Sequence, residues 1–164
     1  MSTYKIYTDG STLSNGSTDA VGGWAFVLLT PDGEILSHNS GGEIGTTNQR
    51  MELTAAISAL KSGYVAIGLK VGHEVELYSD SAYLINCYTQ GWWKNWEKNG
   101  WKNSKREPVA NQDLWEQLIP FFKNEQIKWI KVKGHLEQKT FNGKWNDFVD
   151  KLAQKASENM SKRS

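Results

Sequence analysis

Twice along this chain, alternating apolar and polar positions end on an aspartate. Tyr4, Ile6 and Thr8 alternate with Lys5, Tyr7 and Asp9, while in "EVELYSDS" Val75, Leu77 and Ser79 alternate with Glu76, Tyr78 and Asp80. A period of two predicts half-buried strands. Each strand delivers a carboxylate at its carboxyl end, where sites collect in open α/β sheets. Between them, "GGWAFVLLTPDGEILSHNSGG" reads as two strands joined by a turn at "PDG", giving an antiparallel meander of three strands. The period then changes in "TTNQRMELTAAISALKSG". Leu53, Ala56, Ile57 and Leu60 share one helical face, with Thr46 or Thr47 to cap the start and Gly63 to stop it. A helix crossing back over the sheet makes the fourth strand parallel to the first. Beyond it the pattern predicts a short helix at "SAYLINCYT", a Trp-rich segment, and a helix at "NQDLWEQLIPFFKN" that Pro120 kinks or ends. A fifth strand at "IKWIKVKG" and a last helix at "WNDFVDKLAQKASENM" complete the series.

Length and composition narrow the class. A chain of 164 residues with 38% hydrophobic content predicts one domain, residues 1–164, with a sizeable core. The start "MSTYKIYT" lacks the layout of a signal peptide, and no apolar run is long enough to span a bilayer, so no membrane partner is expected. Cys87 is the only cysteine, which excludes an internal disulfide and a cysteine metal cluster and predicts a buried, inert thiol in a soluble, reducing compartment. The net charge of +1 conceals an asymmetry. Residues 1–90 hold four Lys/Arg against nine Asp/Glu, a net of −5, and residues 91–164 hold fifteen against nine, a net of +6. A negative site beside a positive surface suits an enzyme that binds cations and a polyanion together; solvated surface charge gives the same count.

Helical geometry adds two more acids. At about 100° per residue, Glu52 lies about 90° from the centre of its helix's apolar face, and Asp150 about 110° from the centre of the Val149, Leu152, Ala153, Ala156 face, with Asn146 on the same border. Asp9, Glu52, Asp80 and Asp150 then make an oxygen-rich cage for hard cations such as Mg²⁺, which would relieve the mutual repulsion of the carboxylates. Taken singly, each acid also fits a cap, a turn or a solvated face; Asp32 and Asp113 read as turn and helix-start residues. In "GWWKNWEKNGWK", Trp92, Trp93, Trp96 and Trp101 alternate with Lys94, Lys98 and Lys102, and Lys105 and Arg106 follow. Trp92 and Trp96 share a helical face, and core packing accounts for at least one of them. The lysines have no such use and point to phosphate contacts, with Glu97 weakening the run. His38 and His73 read as surface residues.

In their order, "YTDGS", "TTNQRMEL", "YSDSAYLI", "GWWKNWEKNGWKNSKREPVANQDLWEQL", "IKWIKVKGH" and "NDFVDKLA" make the chain resemble ribonuclease H of the bacterial type 1 class, from about Tyr4 to about Ala156. The resemblance implies an α/β fold with a five-stranded mixed sheet of order 3-2-1-4-5 flanked by helices. It implies an endoribonuclease that hydrolyses the RNA strand of RNA·DNA hybrids with two Mg²⁺ ions, or Mn²⁺, about 4 Å apart, leaving 5′-phosphate and 3′-hydroxyl ends. Asp9 would bridge both ions, Asp150 would help hold the one that activates water, and Glu52 with Asp80 would hold the one beside the leaving group. His135 matches a mobile family histidine that moves protons or assists product release, here followed by a longer loop than in the best-known bacterial members.

Further implications concern the substrate. Residues of about 91–107 would form a basic protrusion gripping the DNA strand, with Trp92, Trp96, Lys98, Trp101 and Lys102 as contacts. Asn15, Thr47, Asn48 and Gln49 would contact the strands in the minor groove, and RNA would be recognised by its 2′-hydroxyls. Gly10 would admit a nucleic-acid backbone close to Asp9; Ala82 stands where many relatives have an amide. A cytoplasmic monomer is expected. Two other readings remain open. A non-catalytic hybrid-binding module has no need of four carboxylates, and a DNA nuclease of related fold lacks such a basic aromatic segment.

Overall fold

The computed structural model describes residues 2–13, 20–67, 73–133 and 139–163. Strands β1 (Ser2–Leu13), β2 (Val21–Leu29) and β3 (Ile35–Ile44) form the expected meander, followed by helix α1 (Asn48–Ile67) and strand β4 (His73–Ser79). Helices α2 (Ala82–Thr89), α3 (Trp92–Asn99) and α4 (Gln112–Phe122), strand β5 (Ile127–Lys131) and helix α5 (Phe141–Ser161) complete the order. The sheet runs β3-β2-β1-β4-β5, as expected. β1 pairs antiparallel with β2 and parallel with β4, and β4 pairs parallel with β5.

Alternate residues of the central strand feed two cores. Ile6 joins Phe26, Leu28, Val75 and Leu77 against α1 through α4, while Tyr7 joins Ala25, Val27 and Leu29 against α5. Consequently β1 is buried on both faces from Ile6 to Asp9, where its alternation predicts a half-buried strand. Helices on both faces remove the solvated side. Each fully buried leucine, such as Leu28, Leu53 or Leu60, contributes roughly 1.5–3 kcal/mol by transfer from water.

Local signals are overridden where burial is large. α1 does not stop at Gly63 but runs on to Ile67. An interior glycine costs only about 1 kcal/mol relative to alanine, less than the burial of Leu53, Ala56, Ile57 and Leu60 returns. Pro120 lies inside the last turn of α4, held there by buried Leu118, Ile119, Phe121 and Phe122. The buried row of α5 is Trp145, Val149, Ala153 and Ser157, rotated from the expected face, and Leu152 is only half-buried. A Cβ on Gly23 of β2 would lie 2.3 Å from the Ala153 carbonyl oxygen and 2.6 Å from the Ser157 nitrogen, so α5 is seated directly on strand backbone. His73 opens β4 half-buried, with its ring edge-on to Tyr4, rather than lying in a surface loop; His38 is exposed as expected. Cys87 is fully buried, and burial pushes its thiol up to about 12. Among the described residues no helix is long and apolar enough to cross a membrane.

Candidate carboxylate cleft and basic aromatic groove

The sheet forks at the site. Parallel pairing of β1 with β4 ends at Tyr7↔Tyr78, whereas β1 continues along β2 through Asp9↔Ala25 to Leu13. Asp9 therefore sits inside its strand, not at the strand's end as the alternation suggests, and it is the departure of β4 that opens the space beside it. The next carbonyl of β4, on Ser79, accepts from the Val132 N–H at 2.9 Å, so β4 leaves toward β5. Asp80 follows at the true end of β4.

Helix α1 enters the fork from one face. Its N-terminus is capped by Thr47, whose Oγ1 accepts from the Arg50 N–H at 3.1 Å. One turn on, Glu52 is buried at 4% exposure, deeper than a border position predicts, and its Oε1 accepts from the Gly10 N–H at 2.9 Å. A Cβ on Gly10 would lie 2.5 Å from the Glu52 nitrogen and 2.6 Å from the Met51 carbonyl carbon. The missing side chain of Gly10 thus serves the close seating of α1, a different reason from the approach of nucleic acid. Gly10 still lines the cleft.

Asp9, Glu52 and Asp80 each bring a carboxylate oxygen within 4.8 Å of the other two. Asp150 lines the same cleft of about 390 Å³ from α5 but stands outside that tight trio, and its Oδ2 accepts from the Gln154 amide at 3.1 Å. Burial first, then the charge of Glu52, lifts the Asp9 carboxyl far above the ordinary carboxylate range; hydrogen bonding to Glu52, the charge of Asp80 and a hydrogen bond with Asp150 add to it. Burial also lifts Glu52, with the charge of Asp80 acting the same way, opposed by the polar groups of Asp9, Gly10 and Ser79 beside it. Carboxylates driven toward protonation in the absence of a cation are a set that a cation would discharge. Glu52 Oε2, buried and without a hydrogen-bond partner, supplies a vacant hard-oxygen donor of the kind Mg²⁺ or Mn²⁺ takes.

Of the expected substrate contacts near the cleft, Asn48 and Gln49 line it and Thr47 is exposed just outside. Ser81, Ala82 and Tyr83, from the start of α2, form the opposite wall. Sequence reasoning passed over Ser81 and Tyr83 because both fit helix-start and core roles; Ser81 does cap α2, accepting from the Leu84 N–H at 3.2 Å. His135 and Asn15 lie outside the described residues.

A second groove, of about 480 Å³, lies on α3 and the segment after it, and Trp92, Trp96, Lys98 and Lys102 line it. The buried tryptophan of the segment is Trp93, at 6% exposure; Trp92, Trp96 and Trp101 are half-buried against the same core. Trp96 stands between Trp92 at 6.3 Å and Trp101 at 5.8 Å, so Trp101 backs the groove without lining it. Asparagines brace the chain around it. Asn99 Oδ1 accepts from the Lys102 N–H at 3.1 Å, and Asn103 Oδ1 accepts from the N–H groups of Lys105 and Glu107 at 2.9 and 3.0 Å. Glu97 reaches Lys123 at 3.5 Å, which turns part of its charge away from the groove.

A family model described as RNase H matches residues 1–158. Ribonuclease H of Syntrophomonas wolfei is 47% identical over 151 residues, 92% of this chain and 93% of that protein. Ribonuclease H of Moorella thermoacetica is 46% identical over 151 residues, 92% of this chain and 89% of that protein. Among solved structures, LC9-RNase H1, described as a type 1 RNase H with the type 2 active-site motif, superposes with a TM-score of 0.75 at 27% identity, covering 97% of this chain and 74% of that one. LC11-RNase H1, solved in complex with an RNA/DNA hybrid, shares the fold with a TM-score of 0.66 at 22% identity, covering 95% and 97% of the two chains. A five-stranded mixed sheet of this order, flanked by helices, thus matches the fold of these ribonucleases H. The chain belongs to the ribonuclease H family.

Proposed function

We propose that this protein is an endoribonuclease that hydrolyses the RNA strand of RNA·DNA hybrids, leaving 5′-phosphate and 3′-hydroxyl ends. The observation that carries the reading is the convergence of Asp9, Glu52 and Asp80 within 4.8 Å at the sheet fork, in a chain of the ribonuclease H family. Asp9, Glu52, Asp80 and Asp150 would hold two Mg²⁺ ions, with Mn²⁺ as the alternative. When bound, such ions supply a water nucleophile at neutral pH and stabilise the developing charge on phosphate.

The chain's own residues bind and orient. Glu52 is fixed by the Gly10 N–H and Asp9 by its place in the β1–β2 ladder, so the carboxylates are held by backbone and need little reorganisation. Asn48 and Gln49 present amides at the cleft mouth, and Thr47, whose oxygen is engaged in the cap, keeps its O–H as a donor; together they suit the sugar edges of a minor groove. Asn15 belongs to the same proposed set, as does Gly10 through its place in the cleft. The groove of Trp92, Trp96, Lys98 and Lys102, backed by Trp101, suits the sugar-phosphate backbone of the DNA strand, with lysines on phosphates and aromatic faces on sugars. His135 is proposed to move a proton or assist product departure. The proposal extends to one domain over residues 1–164, acting as a monomer in the cytoplasm; the buried lone Cys87 suits the reducing compartment but does not bear on the oligomeric state.

The test compares cleavage of an RNA·DNA hybrid, duplex RNA, duplex DNA and the single strands, each with Mg²⁺ and with chelator. Metal-dependent cutting of the hybrid's RNA strand alone is expected. Equal cutting of duplex DNA, or binding of the hybrid without cutting, would overturn the reading.

A further inference from the structure

Asn111 begins α4 without capping it. Its backbone is left-handed, with φ of 62°, and its side chain makes no hydrogen bond to the first turn. A capping asparagine side chain would stabilise the helix start, and a left-handed non-glycine residue carries strain, so the sequence forgoes stability on two counts here. The amide is used elsewhere. Asn111 Oδ1 accepts from Arg50 NH1 at 3.2 Å, and Asn111 Nδ2 donates to the Tyr83 hydroxyl at 3.1 Å. Arg50 is itself held in a fork by Asp113, donating from NH1 to Oδ1 at 3.0 Å and from NH2 to Oδ2 at 2.8 Å. Tyr83 accepts a second bond, from Trp115 Nε1 at 3.2 Å, and the Trp115 ring lies 5.6 Å from that of Trp96.

This chain of contacts joins three parts of the molecule. Arg50 stands two residues before Glu52 on α1, Tyr83 lines the carboxylate cleft, and Asn111 closes the segment that began with α3. The tilted tryptophans of the groove rest on Trp115, so the basic segment is referred to the cleft twice through the Tyr83 hydroxyl, once by Trp115 directly and once by the Asn111 amide that Arg50 orients. Its orientation is not free. Arg50 offers only donors, which forces Oδ1 toward Arg50 and Nδ2 toward Tyr83. Stability alone does not account for the Arg50–Asp113 pair, because the Asp113 side chain is 62% exposed and exposed pairs contribute little.

We propose that Arg50 is a positioning residue: clamped by Asp113, it orients Asn111 and so fixes the spacing between the basic aromatic groove and the carboxylate cleft, which sets where the bound RNA strand is cut. The inference rests on the hybrid-cleaving reading above. The guanidinium is required for its fork, which pairs with both Asp113 oxygens while one N–H reaches Asn111; an ammonium makes no such arrangement.

The experiment uses the full chain and an end-labelled RNA·DNA hybrid of defined sequence. For Arg50→Ala and Arg50→Lys, turnover at saturating hybrid is expected to fall on the order of tenfold, as small misplacements do, with the cut positions spread over neighbouring phosphates. Hybrid affinity in chelator and its salt slope should stay within about twofold, because the groove lysines are untouched. Asp113→Asn, which leaves α1 intact, is expected to show the same redistribution more weakly and serves if Arg50→Ala melts below the assay temperature. A folded Arg50→Ala with wild-type cut positions and turnover would overturn the proposal. So would a loss seen only as weaker binding with a flatter salt slope, which would make Arg50 a phosphate contact. Failure of the wild type to cut hybrids would instead overturn the functional reading, and it is visible before any variant is made.

Discussion

Asp9 is a buried carboxyl of the cleft, and its surroundings dictate how it responds to substitution and pH. Without a cation, burial and the charges of Glu52 and Asp80 hold it protonated well above the ordinary range. A carboxyl raised in the folded state binds its proton more tightly folded than unfolded. Folding is therefore favoured at low pH, and stability falls as pH rises above about 4, the unfolded value. For the protein in chelator we expect a melting temperature that declines with pH from mildly acid to alkaline, and an Asp9→Asn variant in which that decline is shallower. The same variant should lose hybrid cleavage with no loss of neutral-pH stability, because an amide sits uncharged beside Glu52 without the proton uptake that folding otherwise requires. Calorimetry across pH and a cleavage assay in millimolar Mg²⁺ check both; ordinary cleavage by Asp9→Asn would remove Asp9 from the site. This residue and Asp80 were legible from alternation, and Glu52 and Asp150 from helical angle, because each border position is a simple consequence of period. Arg50, Asn111 and Tyr83 were not. Their meaning lies in contacts between residues 28 and 61 positions apart, which no local pattern encodes.

At the scale of elements, α1 and the basic segment make opposite demands on the chain. α1 must approach β1 so closely that a methyl on Gly10 would overlap the Met51 and Glu52 backbone. Gly10→Ala is expected to cost roughly 1–3 kcal/mol in stability, as overpacking of a core does, and to displace Glu52. A denaturant titration alongside a metal-binding titration measures the two effects; unchanged stability would show that α1 can shift freely. The basic segment is held by its own asparagines and by tryptophans packed at tilted angles, and it shares no lining residue with the cleft. Replacing Lys98, Lys102, Lys105 and Arg106 together with Ala should raise KM and flatten its salt dependence while turnover at saturating hybrid changes far less, the pattern of lost uniform binding. Unchanged KM and salt slope would leave those charges as solvated surface. Element order followed from periodicity, the pairing of the first four strands from turn and crossover rules, and the place of β5 from the family resemblance, whereas element ends were not legible. α1 passed its glycine and α4 its proline because buried apolar area outweighed the local signal.

For the whole molecule, the acidic cleft is a store of unfavourable energy that a divalent cation removes. Because such an ion binds the folded cleft and finds no assembled set of carboxylates in the unfolded chain, it should raise the melting temperature, by about 2.7 kcal/mol of stability at a hundredfold excess over the dissociation constant. Calorimetry with and without saturating Mg²⁺ checks this, and an unchanged transition would argue against a preformed cage. The gain should be largest at the pH where the metal-free protein is weakest, since both effects originate in the same carboxylates.

The seating of α5 on Gly23 has a consequence for how variation in this protein is to be read. Asp150 rides on α5 one turn before Ala153, the residue whose carbonyl sits over Gly23, and the atoms facing Gly23 are helix backbone and the short Ala156 methyl, which cannot swing away to absorb a change. Close-packed interiors transmit such displacements, so any larger residue at position 23 would carry Asp150 with the helix. A survey confined to the residues lining the cleft would score a Gly23 variant as silent, although it would displace a carboxylate that does line it.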